Sequence, residues 1–220
     1  MATKKIVIMG AGGFAREVEW LIREINAHVP HPEFAFQGFV ISDLSTLGPE
    51  GHPNILGDHH WLEKNRDKWD GLVIGIGNPQ IRKSLPQQLE REFSGILWPS
   101  LIHPSAKMDF SSAKIERGNL ICANVVGTVN LQIREFGLIN LACTLGHEAQ
   151  IGSASVLNPS VNISGGVIIG QEVLVGTGAQ VLQNLTIGDR ATIGAGAVVT
   201  KNVPAETTVT GIPAKPLVPR

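Results

Sequence analysis

From Ile115 to Val199 an aliphatic residue returns at every sixth position, fifteen times without a slip of register, and only Gly127 breaks the apolar rule. A fixed short period marks stacked structural repeats. A helix would bring its apolar positions back every three or four residues and a strand every two, so a period of six fits neither. It fits a short strand followed by a tight turn. Three such units close one triangular coil, which stacks Ile151, Ile169 and Ile187 into an inward column, and the other two corners give similar columns. The residues two before each aliphatic, among them Val125, Cys143, Ala149, Ala179, Ala191 and Ala197, point inward as well by strand alternation. They are small because the triangle is narrow. A glycine often follows the aliphatic, as at Gly152, Gly170, Gly176, Gly188 and Gly194. With coils about 4.8 Å apart, nearly five of them make a prism roughly 20 Å tall. Each coil touches only its neighbours, so the ends need cover.

The rest of the chain differs in composition. All four Trp and six of the seven Phe lie before residue 111. A mixed helix and strand domain over residues 1–100 is therefore expected to precede an all-β solenoid over 101–220. A formal net charge of -1 provides no electrostatic footprint for nucleic acid or an anionic membrane. The two cysteines, Cys122 and Cys143, read as ordinary thiols in a reducing compartment. The apolar run Ile6 to Met9 stops at glycines, too short for a signal peptide or a membrane span, so a cytoplasmic location is expected.

The first domain opens with Ile6-Val7-Ile8-Met9, then Gly10-Ala11-Gly12-Gly13-Phe14-Ala15, then a helical pattern through Val18, Leu21, Ile22 and Ile25. Strand, glycine turn and helix in this order approach the dinucleotide fingerprint. Glycines let a phosphate reach backbone amides at the positive end of the helix. Two more strands, Phe36 to Ile41 and Leu72 to Ile76, end at Ser42-Asp43 and Gly77-Asn78. Ligands of such sheets sit beyond the carboxyl ends of the strands, so the three ends are expected to share one crevice. A glycine turn that only packs helix on strand satisfies the same residues, and Asp43 comes later than a ribose-binding acid usually does.

Of seven histidines, His147 alone lies within the repeat. It falls at a coil corner, two positions after Leu145, and is followed by Glu148. An imidazole there can accept a proton from an attacking amine or hydroxyl. Glu148 can fix its tautomer only if the corner bends it around. A solvated corner histidine is the plain alternative.

Gly10-Ala-Gly-Gly-Phe-Ala-Arg-Glu-Val18, Ile76-Gly-Asn-Pro-Gln-Ile-Arg82, Ile102-His-Pro-Ser-Ala106, His147-Glu-Ala-Gln-Ile-Gly152 and Gly211-Ile-Pro-Ala-Lys215 together resemble the landmarks of the hexapeptide-repeat sugar acetyltransferases. That family includes sialic acid O-acetyltransferases and nucleotide-linked 4-aminosugar N-acetyltransferases. The resemblance implies an α/β Rossmann-like amino-terminal domain that binds a nucleotide sugar, a left-handed parallel β-helix, and a homotrimer with active sites between adjacent helices. It implies acetyl-CoA as co-substrate, His147 as catalytic base and Glu148 as its acidic partner. The amide of Gly165 or Gly166, one coil above, would meet the oxyanion. Pantetheine would pass Thr177 and Gly178, then Ala195 and Gly196, with Lys201 and Lys215 toward the CoA phosphates. Gly12, Gly13 and Phe14 would lie near the sugar and phosphates, with Asp43 toward the base or ribose; Asn78, at the end of the third strand, is a further substrate-binding candidate. No metal is implied.

The chain departs from the pattern in carrying Phe14 and Val156 where many or some members carry histidine. A γ-type carbonic anhydrase shares the β-helix but needs three His ligands around zinc. A nicotinamide-dependent oxidoreductase would leave the solenoid without a task. The expected reaction is N-acetylation of a nucleotide-linked 4-amino-4,6-dideoxy sugar. O-acetylation of a sialic-acid-like sugar and a sugar-nucleotide-binding scaffold are the alternatives.

Overall fold

A computed structural model describes residues 2–46 and 54–217. The chain begins with four parallel strands, β1 (Lys4–Met9), β2 (Phe34–Val40), β3 (Ile55–Gly57) and β4 (Gly71–Ile74), in the order β3-β2-β1-β4. Helices α1 (Gly13–Ala27), α2 (His59–Lys64) and α3 (Pro79–Glu92) complete this Rossmann-like part. Strands β1 and β4 are buried on both faces along most of their length, as parallel sheets favour. Helix α1 forms because Ala15, Val18, Leu21, Ile22 and Ile25 recur on one face, and all five are buried.

Three differences from the sequence reading have physical causes. The second strand ends at Val40 and carries a register shift between the β1 residues Ile6 and Val7, next to Gly38 at φ +148°. The third expected strand ends at Ile74, and residues 75–78 become the turn that enters α3. Helix α3 escapes a reading by pattern because Pro86 lies within it, and Pro86 is buried.

From β5 (Leu101–Ile102) onward the chain is a left-handed parallel β-helix of two-residue strands. Its first face stacks Leu101, Leu120, Leu138, Val156, Leu174 and Thr192 outward, the second Val126, Thr144, Asn162, Gln180 and Val198, the third Lys114, Gln132, Gln150, Ile168 and Thr186. Every residue of the period-six series is the second residue of its strand, and Ile151, Ile169 and Ile187 do stack in register. The small inward set, Val125, Cys143, Ala149, Ala179, Ala191 and Ala197, is fully buried. Gly127 breaks the series because the space is taken: a Cβ there would collide with Leu131 and lie 3.0 Å from the Met108 Cβ.

Each corner follows one rule. Every sixth residue from Gly118 to Gly196 has φ between +54° and +71°, whatever its side chain. Its amide donates one coil down, to a carbonyl as Ala142 does to Ala123, Ser160 to Leu141 and Gly178 to Pro159, or at Asn124 and Asn130 to the Ser105 and Ser112 hydroxyls. This ladder holds non-glycine residues in a conformation they rarely adopt alone.

The sheet domain rests on the first face of the prism. Val18, Leu21, Ile22 and Ile25 of α1 join Leu101, Leu120, Leu138 and Val156 in one apolar cluster. Burial of each such side chain contributes about 1.5–3 kcal/mol at most. Arg82, fully buried, adds a polar joint: Nε donates to the Phe136 carbonyl at 2.8 Å, Nη2 to Gly137 at 3.0 Å, and Nη1 to Ile74 and Ile76 at 3.1 Å each. Both ends of the joint are backbone, so the domains meet in one register. No helix of the described residues is long and apolar enough to cross a membrane.

Candidate active site

His147 and Glu148 occupy the corner between the second and third faces. Glu148 is the left-handed residue of that corner, at φ +62°, and its amide donates to Val129 below. The reversal turns the two adjacent side chains toward each other. His147 Nδ1 stands 3.6 Å from Glu148 Oε2, with two thirds of each side chain exposed. That separation is longer than a hydrogen bond. It places the carboxylate on the Nδ1 side of the ring, while Nε2 is the ring atom nearest to Gly165 of the next coil.

Gly165, directly one coil above, forms the wall of this corner. A Cβ on Gly165 would overlap the His147 ring, 2.6 Å from Cε1 and 2.8 Å from Cδ2. Gly146 is glycine for a related reason, since a Cβ there would run into the Gly165 backbone. The corner rule also distinguishes the amides of Gly165 and Gly166. The Gly166 amide donates to the His147 carbonyl at 2.8 Å, as the left-handed residue of its corner, and is not free for a ligand. The Gly165 amide has no acceptor among the described residues. Of the two amides, that of Gly165 is the one left without a protein acceptor.

Thr177, Gly178, Ala195 and Gly196 lie together on a different corner, between the first and second faces. Gly178 and Gly196 are its left-handed residues, and a Cβ on either would meet nothing within 4 Å, so this edge is open. The carboxyl-terminal tail folds over the top of the same corner: Val198 donates to the Gly211 carbonyl and Ala214 to the Val198 carbonyl. Lys215 follows, exposed, and thus belongs with this edge. Lys201, also exposed, stands instead on the corner of His147. In one chain the two lysines are not neighbours along one groove.

The three strand ends do converge. Gly10, Val40, Ile41, Ser42, Ile76 and Ile81 help line a crevice of about 360 Å³. Gly12 is the N-cap of α1, and no side chain caps the helix, so its first amides face open space. Asp43 lies just outside the crevice lining, exposed, where the hydroxyl and amide of Ser45 hold its carboxyl below the usual range. Asn78 is partly committed: its Oδ1 accepts from the Ile81 amide at 3.0 Å as the N-cap of α3, which leaves Nδ2 for a ligand. Phe14 faces away from the crevice, into a small apolar pocket between α1 and the prism. A further cleft of about 650 Å³ beside His59, His60 and Arg66 holds none of these residues.

Sequence reading passed over Arg16. Its Nη2 lies 3.9 Å from where a Cβ of Gly13 would be, it is exposed, and it has no ion-pair partner among the described residues. A cation one turn into the helix after a glycine turn was the available signal. Of the other histidines, His103 is buried with Nδ1 accepting from the Ser105 amide, and burial lowers its pKa; His52 lies outside the described residues. Among the described residues no three His, Cys, Asp or Glu side chains gather as a metal site would need.

Comparison with known proteins adds two domain matches, the PglD N-terminal domain over residues 5–89 and the bacterial transferase hexapeptide over residues 166–201. Perosamine N-acetyltransferase from Caulobacter crescentus, solved in complex with CoA and GDP-perosamine, is 28% identical, with 99% of each chain covered and a TM-score of 0.86. The acetyltransferase domain of PglB from Neisseria gonorrhoeae, solved in complex with acetyl coenzyme A, is 29% identical over 98% of this chain and 100% of its own, with a TM-score of 0.84. WeeI from Acinetobacter baumannii is similar at 29% identity over 98% and 100%, with a TM-score of 0.81. Among curated proteins, none matches the sequence significantly.

Proposed function

Because this chain belongs to the hexapeptide-repeat sugar acetyltransferases, we propose that it transfers acetyl from acetyl-CoA to the 4-amino group of a nucleotide-linked 4-amino-4,6-dideoxy sugar. The observation that carries this reading is the His147 corner, where the imidazole Nε2 lies against a glycine whose backbone amide has no other partner. A base and an oxyanion donor at one spot are what direct acyl transfer requires. Similarity to enzymes solved with CoA and GDP-perosamine supports the substrate class.

In this mechanism the amine nitrogen attacks the thioester carbonyl while His147 Nε2 takes its proton. Glu148 favours the tautomer that keeps Nε2 unprotonated and steadies the imidazolium that forms. The Gly165 amide donates to the carbonyl oxygen as it gains charge. The C–S bond breaks, the amide bond is complete, and the thiolate leaves with the proton as CoA thiol. No Ser or Cys nucleophile is needed. The two cysteines suit such a mechanism, since burial pushes the thiols up to about 12 for Cys122 and about 11 for Cys143.

The nucleotide would enter the crevice, with its diphosphate over Gly12 and Gly13 and beside Arg16. Asp43 and Asn78 border that path. Thr177, Gly178, Ala195 and Gly196 would take the pantetheine arm, with Lys215 toward the CoA phosphates. The catalytic and pantetheine corners are different edges of one prism. A homotrimer would bring the two edges of adjacent chains together, with Lys201 of one chain facing the phosphates held by the next. Residues 1–100 would then act as the acceptor-binding unit and 101–220 as the transferase unit.

The test is thiol release from acetyl-CoA with UDP-, dTDP- and GDP-linked 4-aminosugars. One of the three should be consumed, and His147→Ala should lower kcat at least about 100-fold while leaving sugar binding in place. Failure of all three, with consumption of free sialic acid instead, would replace amine transfer by hydroxyl transfer.

A further inference from the structure

The stretch Ile102-His-Pro-Ser-Ala106 has no part in the chemistry above, yet its histidine sits where the two domains meet. His103 follows β5, whose Leu101 shares an apolar cluster with α1, and its amide donates to the Ile121 carbonyl of the next coil at 2.8 Å. The side chain is buried, and Trp20 of α1 stands beside it with ring centres 5.6 Å apart.

Its neighbours fix where the ring carries its proton. The Ser105 amide, which can only donate, lies 3.0 Å from Nδ1. The Ser105 hydroxyl lies 2.8 Å from the same nitrogen and accepts from the Asn124 amide at 2.9 Å, so its own proton is free to point at Nδ1. Two donors on one nitrogen leave that nitrogen unprotonated. The neutral ring therefore holds its proton on Nε2. That atom is buried, has no hydrogen-bond partner among the described residues, and faces Glu24 in the last turn of α1, 3.9 Å from Oε2.

A second proton must go to Nδ1, where the Ser105 N–H already points. An amide cannot reverse its role, so the ring or the turn through Pro104 has to move. The Ser105 hydroxyl, drawn along with it, is also the acceptor that holds Asn124 in its left-handed corner at φ +60°. One proton thus disturbs the first corner of the prism and the surface on which α1 rests.

We propose that His103 is an acid-sensitive latch, which holds the last turn of α1 on the first coil while the ring is neutral and releases it when the ring is protonated. The charges that act on the ring, Glu24 and His28, both belong to α1, and the His28 Nδ1 lies 2.8 Å from the Glu24 carbonyl. On the prism side the polar neighbours are Ser105 and the Ile121 backbone, neither of them ionisable. Burial lowers the ring's pKa below the ordinary 6.5, Glu24 opposes this, and His28 adds to it. The folded protein thus binds this proton less readily than the unfolded chain. The stability contributed is complete above pH 6.5 and is lost as pH falls through the folded value.

The experiment follows the imidazole nitrogens by NMR in the full chain labelled with ¹⁵N-histidine, between pH 8 and 5, with His103→Asn identifying the signal by its loss. The neutral ring should show its proton on Nε2 and titrate below 6.5, the ordinary value. Glu24→Gln should move that midpoint lower still. In urea, the unfolding midpoint of the wild type should fall more steeply between pH 7.5 and 5.5 than that of His103→Asn, whose amide oxygen can still accept from Ser105 but does not titrate. A neutral ring protonated on Nδ1, a midpoint at or above the ordinary value, or parallel stability profiles for the two proteins would each overturn the latch. Should His103→Asn fail to fold, the tautomer and midpoint of the wild-type ring, assigned through Glu24→Gln, decide alone.

Discussion

Gly165→Ala separates the geometry of the His147 corner from the stability of the coil. The new Cβ would sit 2.6 Å from Cε1 and 2.8 Å from Cδ2 of the imidazole. Carbon atoms rest about 3.5–4.0 Å apart, so the ring must withdraw by about 1 Å. Nothing in the core resists this, since the His147 side chain is 67% exposed and its neighbour Glu148 is equally free to move. Gly165 does not have a left-handed φ, so alanine suits its backbone. Replacing glycine at a compatible position gains about 0.4–1 kcal/mol by restricting the unfolded chain. Stability should therefore hold or rise slightly. Activity should not: a displacement of about 1 Å in a reacting group costs on the order of 100-fold. The assay pairs thiol release at saturating substrates with thermal unfolding of the same preparation. A variant within threefold of wild-type kcat would refute the claim that the Gly165 wall positions the base. A fall in activity accompanied by a clear loss of stability would refute the claim that the effect is local.

Arg82→Met removes a guanidinium that serves four buried carbonyls and should cost about 3 kcal/mol or more, seen as a lower midpoint in urea. Gly127→Ala forces a methyl against Leu131 and Met108 and should cost about 1–3 kcal/mol, by the same measurement. Neither Cys122 nor Cys143 should react with Ellman's reagent within minutes at pH 8 in the native protein, whereas both should react once unfolded. The folded state raises both thiol pKa values above the ordinary 9.0, to about 12 and about 11, so it holds these protons longer than the unfolded chain does. Their contribution to stability is complete below pH 9 and is lost as pH rises from 9 through 11 toward 12. An unfolding midpoint that rises over that window would contradict the sign.

The prism was legible because its period belongs to the covalent sequence. A residue every sixth position can only line up if each coil has three short strands, so the columns through Ile151, Ile169 and Ile187 follow from spacing. The glycine turn and the lone coil histidine were legible for the same local reason. What lay beyond reach depended on contacts distant in sequence. The exception at Gly127 arises from Met108 and Leu131 filling its space, and two of the four hydrogen bonds of Arg82 go to residues more than fifty positions away. The choice of Gly165 over Gly166 is of this kind too. Both are glycines in one corner, and only the ladder of hydrogen bonds between coils shows which amide is already taken. The meeting of Glu148 with His147 likewise depends on a left-handed corner that the residue type alone would disfavour. Period and residue chemistry are carried by the chain itself, whereas the free amide, the turned carboxylate and the pocket under Phe14 exist only when coils and helix are stacked, because each is defined by what a non-neighbouring segment occupies.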